Sequence, residues 1–165
     1  MEQRYSDFIR MQADFQPVYD ITAERSADSW QSFIPTAQFC RLLSQTLTAM
    51  TSSEPSKRRS MWLRGTFGTG KSHASAVIKH LLSDPLGTIE NYIESIPDVS
   101  LREQLRAVRK QKRFFAVTLK GVEKAYDVPR FKLSLQHATL KALRNAGYTD
   151  VIIHSDFRSE SIFIF

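Results

Sequence analysis

Half of the chain's glycines lie in one short stretch: Gly65, Gly68 and Gly70 fall within six residues, out of six glycines in 165 residues. They belong to the run Gly65-Thr66-Phe67-Gly68-Thr69-Gly70-Lys71-Ser72, which fits G-x-x-x-x-G-K-[S/T] without a mismatch. With glycine usage near ~7% on average, an accidental match to the whole pattern is expected in fewer than about one chain in a hundred of this length. Glycine suits such a loop because the backbone must reach φ > 0 and come close to a ligand. The flanks agree: Ser60 to Leu63 reads as a short strand, and Lys71 to Leu82 as a helix with Val77, Ile78, Leu81 and Leu82 on one face.

Strand, glycine loop and helix N-terminus make a place for phosphate. The amides of Gly68 to Ser72 would turn inward as a nest, helped by the positive end of the helix dipole. Lys71 would reach the outer phosphates, and the Ser72 hydroxyl would ligate Mg²⁺. The candidate nucleotide-binding residues are therefore Gly65, Thr66, Phe67, Gly68, Thr69, Gly70, Lys71, Ser72 and His73, with Ser72 also the candidate metal ligand.

The length suits one domain with a real core, and a hydrophobic content of 42% with 24% charged residues is ordinary for a globular protein. The single cysteine, Cys40, excludes an internal disulfide and suits a reducing compartment. It lies beside Phe39 and Leu42 in an apolar helical pattern and reads as a buried, inert thiol. The first residues, Met1-Glu2-Gln3-Arg4, are polar and no apolar leader follows, so a cytoplasmic location is expected. No apolar run is long enough for a membrane span. The net charge of +6 permits nucleic-acid binding without establishing it.

Residues 1 to 30 read as a packed extension, with a first helix around Tyr5, Phe8, Ile9 and Met11, and Pro17 in an extended stretch. Thr36 can cap a helix to Met50, whose Phe39, Leu42, Leu43, Thr46, Leu47 and Met50 form one stripe. The polar loop 51–59 carries the basic cluster Lys57-Arg58-Arg59. A short helix over Ile89 to Glu94 is followed by a basic helix, capped by Ser100, from Leu101 to about Lys112. Its Arg102, Arg106 and Arg109 share a face that is either solvated or turned to nucleic acid. Phe114 to Leu119 reads as a buried strand, and Pro129 to Ala146 as a helix with Phe131, Leu135, Ala138 and Ala142 inward and Gly147 as its stop. Tyr148 to His154 reads as a further strand, and Ser161 to Phe165 is apolar and β-prone.

Hydrolysis needs an acidic residue at the end of a second apolar strand to hold the metal. Leu119 is followed by Lys120, and no acid comes before Glu123. Val151-Ile152-Ile153 reaches an acid only at Asp156, two places late, which leaves Asp156 as the candidate carboxylate and the catalytic residues otherwise unassigned. His73 and His80 lie seven residues apart, about 10 Å along a helix, too far to share an ion.

The run Leu63 to His73, preceded by Phe33-Ile34-Pro35-Thr36 and a helix, resembles the start of large bacterial AAA-type P-loop ATPases of phage-defence systems, the BREX PglY/BrxC-like group. The resemblance covers roughly residues 30 to 125, and its distinctive part is the F-G-x-G-K-S-H form of the loop. It implies an α/β fold: a three-layer P-loop NTPase (AAA-like) core, incomplete here, with a mostly helical N-terminal extension. Residues 1–59 would be that extension, with helix 36–50 and the basic loop, and 60–165 the N-terminal part of the NTPase domain before its Walker B strand. It further implies ATP and Mg²⁺ as cofactors, and partners that include a second copy of the chain, other defence proteins and DNA, the last through 57–59 and 102–113. Two other classes stay open from the residues alone: a non-catalytic interaction module contacting DNA, and a P-loop kinase whose lid would be the basic segment 102–113.

Overall fold

The computed structural model describes Tyr19 and residues 28–57, 61–66, 68–112, 114–119, 127–148 and 163–164. Four helices build the core. Helix α1 (Ala37–Thr51) starts where Thr36, in extended backbone, accepts a hydrogen bond from the Phe39 amide at 3.2 Å. Helix α2 (Lys71–Ser83) follows the glycine loop, and α3 (Leu86–Ser95) and α4 (Val99–Gln111) form a hairpin after it. Their apolar stripes meet in one cluster that includes Phe39, Leu43 and Leu47 of α1, Val77, Ile78 and Leu81 of α2, Ile89 and Ile93 of α3, and Leu101 and Leu105 of α4. Burial of each such side chain contributes about 1.5–3 kcal/mol. Trp30, in a single 3₁₀ turn over Ser29–Ser32, is 1% exposed and belongs to the same cluster.

After α4 the chain enters β1 (Ala116–Val117), where the Phe114 amide donates to Leu82 O at 3.1 Å and ties the strand's start to the end of α2. Helix α5 (Val128–Asn145) packs on β1, and β2 (Phe163–Ile164) pairs with β1 in parallel, Ala116 opposite Phe163 and Val117 opposite Ile164.

Several expectations change at this level. Residues 61–66 form no strand among the described residues: nothing pairs with them, and Met61, Trp62 and Leu63 are 43%, 85% and 43% exposed. An extended segment becomes a strand only when a neighbour takes its ladder bonds. The strand expected over 114–119 contracts to two residues for the same reason. Strand pairing among the described residues is confined to β1 and β2, so the three-layer sheet stays an expectation. Helix α4 is capped by Asp98, not Ser100; its carboxylate accepts from the Leu101 amide at 3.0 Å, and Ser100 falls inside the first turn. On α5 the buried residue is Thr139, whose hydroxyl donates to Leu135 O at 2.8 Å, while Phe131 is 41% exposed. The strand expected from Tyr148 to His154 and the helix around Tyr5 lie outside the described residues, apart from Tyr148, which is not in a strand.

The arginines of α4 turn inward to protein. Arg102 bonds Glu94 at 2.6 Å. Arg106 donates to Glu90 at 2.6 and 2.8 Å, to Glu103 at 2.7 Å, and to Glu94. The hydrogen bond from Arg106, with Arg102 beside it, holds the Glu94 carboxyl below the usual carboxylate range. Arg109 is 7% exposed and donates to Leu81 O at 2.9 Å and to Asp84 O, satisfying carbonyls at the C-terminal end of α2 that the helix itself leaves open. Arg109→Met should therefore destabilise the fold by about 2 kcal/mol in chemical denaturation, the loss of charged hydrogen bonds to buried acceptors. Lys112→Met on the exposed end of α4 should stay within about 0.5 kcal/mol of wild type. Equal midpoints for the two variants would mean that Arg109 does not anchor α4 to α2.

Candidate functional site

The glycine loop departs from ordinary backbone where its sequence leads one to expect. Gly68 has φ 80° and Gly70 φ 75°, the left-handed region that L side chains avoid. Gly70 is also the N-cap of α2 and brings no capping side chain. A methyl group there would lie 3.6 Å from Phe33 Cε2, so the segment before α1 lines one side of the loop's end. Gly65 serves differently: a Cβ on it would lie 2.8 Å from Thr69 Oγ1, inside contact distance.

Lys71 folds back over the loop. Its ammonium donates to Gly65 O at 2.9 Å, to Thr66 O at 2.5 Å and to Thr69 Oγ1 at 3.3 Å. The Thr69 hydroxyl donates in turn to Thr66 O at 2.9 Å. A lysine at the first position of a helix opposes the helix dipole. Nothing in the first turn of α2 offsets it, since that turn holds no acidic residue and its N-cap makes no side-chain bond. The first turn's amides precede the first helical bond, from Ala74 N to Gly70 O at 2.8 Å. Ser72, exposed, follows Lys71 into the same turn.

His73 is held away from the loop mouth. Its Nε2–H donates to Trp30 O at 3.2 Å, its ring stacks on Tyr19 at 4.2 Å, and Phe33 meets it edge-on at 5.1 Å. Its side chain is thus part of the wall behind the loop, and its contribution to a phosphate would be its amide. Two turns along α2, His80 Nδ1–H donates to Asp84 at 2.7 Å while its ring stacks on the Trp30 indole at 4.9 Å. Tyr92 of α3 tilts against the same indole and donates its hydroxyl to Phe33 O at 2.9 Å. Burial pushes the Tyr92 phenol up, which keeps that donor protonated. Sequence reasoning missed Trp30, although it had a signal as one of two tryptophans in the chain. Thr69 was named with the loop, but nothing marked it as the brace of the curl, because the pattern leaves its position free.

Other expected residues lie apart. Phe67, Glu123 and Asp156 are outside the described residues, as are Arg58 and Arg59. Lys57 pairs with Glu54 at 2.9 Å. Cys40 is half-buried on α1; burial, with Asp98 nearby, raises its thiol, so it stays protonated. Among the described residues no group of three His, Cys, Asp or Glu side chains could hold a metal ion, and no helix is long and apolar enough to cross a membrane.

Comparison with protein-family models, with curated proteins and with solved structures returned no match.

The loop geometry predicts opposite signs at two glycines. Gly70→Ala puts a Cβ into a left-handed backbone and should lower stability by about 1–2 kcal/mol. Gly87→Ala, in the first turn of α3 with nothing within 4 Å of the added methyl, should raise it by up to about 1 kcal/mol. Thermal melts of both variants decide it, and a Gly70→Ala protein that melts with or above wild type removes the left-handed turn.

Proposed function

We propose that this chain binds a nucleoside triphosphate, as its Mg²⁺ complex, through Gly65 to Ser72. The observation that carries the reading is the start of α2. Helices α1, α4 and α5 each begin with a capping side chain; this one begins with a left-handed glycine and a lysine folded onto the carbonyls of Gly65 and Thr66. Such an arrangement suits an anion at the loop's mouth. A phosphate oxygen would take over the ammonium from two neutral carbonyls, a stronger hydrogen bond because both partners are charged. The amides of the loop and of the first turn would orient the phosphates, and Ser72 Oγ would hold the metal.

When bound, Mg²⁺ neutralises charge on the outer phosphates and polarises them toward attack. The residues of this chain bind and orient; the carboxylate that would complete hydrolysis is sought at Asp156. ATP as the nucleotide, and a place in a larger phage-defence ATPase, rest on the resemblance of the loop and its flanks.

Calorimetry with Mg·ATP on wild type and Lys71→Ala, with phosphate release followed on the same samples, tests the reading. Binding by wild type, weakened at least about tenfold in Lys71→Ala, or about 1.4 kcal/mol, is the expected outcome. Release of phosphate that disappears in Asp156→Asn would add catalysis to binding. A folded wild-type chain that takes up neither ATP nor GTP would end it.

A further inference from the structure

Helix α5 carries no carboxylate from Val128 to Asn145, yet it holds Arg130, Lys132, Lys141 and Arg144, with His137 between them. At 3.6 residues per turn, Arg130, His137, Lys141 and Arg144 fall within about 60° of the helix circumference and span about 21 Å along it. All four are exposed, and they lie opposite Thr139, the residue that the helix buries. The second half of the stripe is concave: His137, Leu140, Lys141, Arg144 and Asn145 line a depression of about 410 Å³.

The other prominent basic helix offers little by comparison. Arg102, Arg106 and Arg109 of α4 are taken up by glutamates and main-chain carbonyls. On α5, Lys141 and Arg144 have no ion-pair partner among the described residues, and Arg130 has only Asp127, at 3.9 Å and exposed.

We infer that the Arg130–His137–Lys141–Arg144 face of α5 binds the phosphate backbone of a nucleic acid. A stripe of cations without an intervening carboxylate complements a row of phosphates: at ~3.4 Å of axis per charge on one strand, about 21 Å faces some six of them. A lipid surface is a poorer match. A membrane-bound helix sets a row of large apolar groups beside the cations, whereas of the exposed apolar side chains of α5 only Leu133 flanks the stripe, and Val128 and Phe131 lie to the other side of the helix. The surface is separate from the glycine loop, so its fate does not depend on nucleotide binding.

The test is fluorescence anisotropy with labelled single strands and duplexes of about 20 nucleotides of mixed sequence, titrated with the full chain between about 50 and 200 mM salt. With three or four phosphates engaged, log affinity should fall against log salt with a slope of about −2 to −3.5. Lys141→Glu/Arg144→Glu should weaken binding at least tenfold at the lowest salt. Lys110→Glu/Lys112→Glu, which lowers the net charge by the same amount at the end of α4, should weaken it less than threefold. Lys141→Gln/Arg144→Gln, with its fold checked by circular dichroism, should reproduce the loss should the charge reversal misfold. Lys71→Ala should bind nucleic acid as wild type does. Equal losses in the two charge-reversed proteins would overturn the inference, as would no binding at about 50 mM salt. So would stronger retention on vesicles of phosphatidylcholine with about a third phosphatidylserine, or full competition by poly-glutamate at equal charge.

Discussion

Everything around the glycine loop depends on how Trp30 lies along α2. The indole stacks on His80 while the tryptophan's own carbonyl accepts a hydrogen bond from His73, two turns nearer the loop. Seven residues separate the histidines, about 10 Å along the axis, so one residue grips the helix at two heights and sets the path of the segment that leads into α1. Phe33 is thereby delivered to Gly70, and Tyr92 closes the arrangement from α3 through Phe33 O. The two histidines are too distant to share an ion; they share a tryptophan. That bracing matters because the loop contributes little stability of its own, with two left-handed glycines and a cation at a helix start.

The helical half of the fold was legible because its signals are local. Thr36 caps α1 as its position after Pro35 suggests, and the stripe from Phe39 to Leu47 goes into the core. Val77, Ile78, Leu81 and Leu82 are buried together, as their spacing implies. Strands were harder to read, since an apolar run says that a segment can be extended but not that a neighbour will take its ladder. Met61 to Leu63 and Phe114 to Leu119 have the same composition signal, and among the described residues only Ala116 and Val117 find a partner. The cap of α4 was misread by two residues because Asp98 and Ser100 are both good caps, and which of them starts the helix depends on where Pro97 leaves the chain.

In the site, the residue types were legible and their second partners were not. The pattern names Gly68, Gly70 and Lys71, and the first two take the φ values that it requires. It does not say that Lys71 rests on Gly65 O and Thr66 O, nor that the Thr69 hydroxyl links the Lys71 ammonium to Thr66 O. Those contacts depend on how tightly the loop curls, which follows from Gly65: a side chain there would displace the Thr69 hydroxyl that holds the curl.

Charge shows the same gap between composition and place. By composition α4 is the basic helix, and its arginines repeat at the spacing of a single face. That face meets α3, whose Glu90 and Glu94 lie opposite it, and Glu103 lies within it, so the cations there hold two helices together. The arginines of these pairs are half-buried while Glu94 and Glu103 stay exposed, and each arginine so engaged costs an outside anion the displacement of a carboxylate. Helix α5 has as many cations and no such acids. Because α5 packs through Thr139 and the residues beside it, its opposite side is left to the solvent by the same periodicity that buries Thr139. What separates a structural from a binding array of arginines and lysines is therefore the sign of the neighbouring helix rather than their own number, and only the packing reveals it.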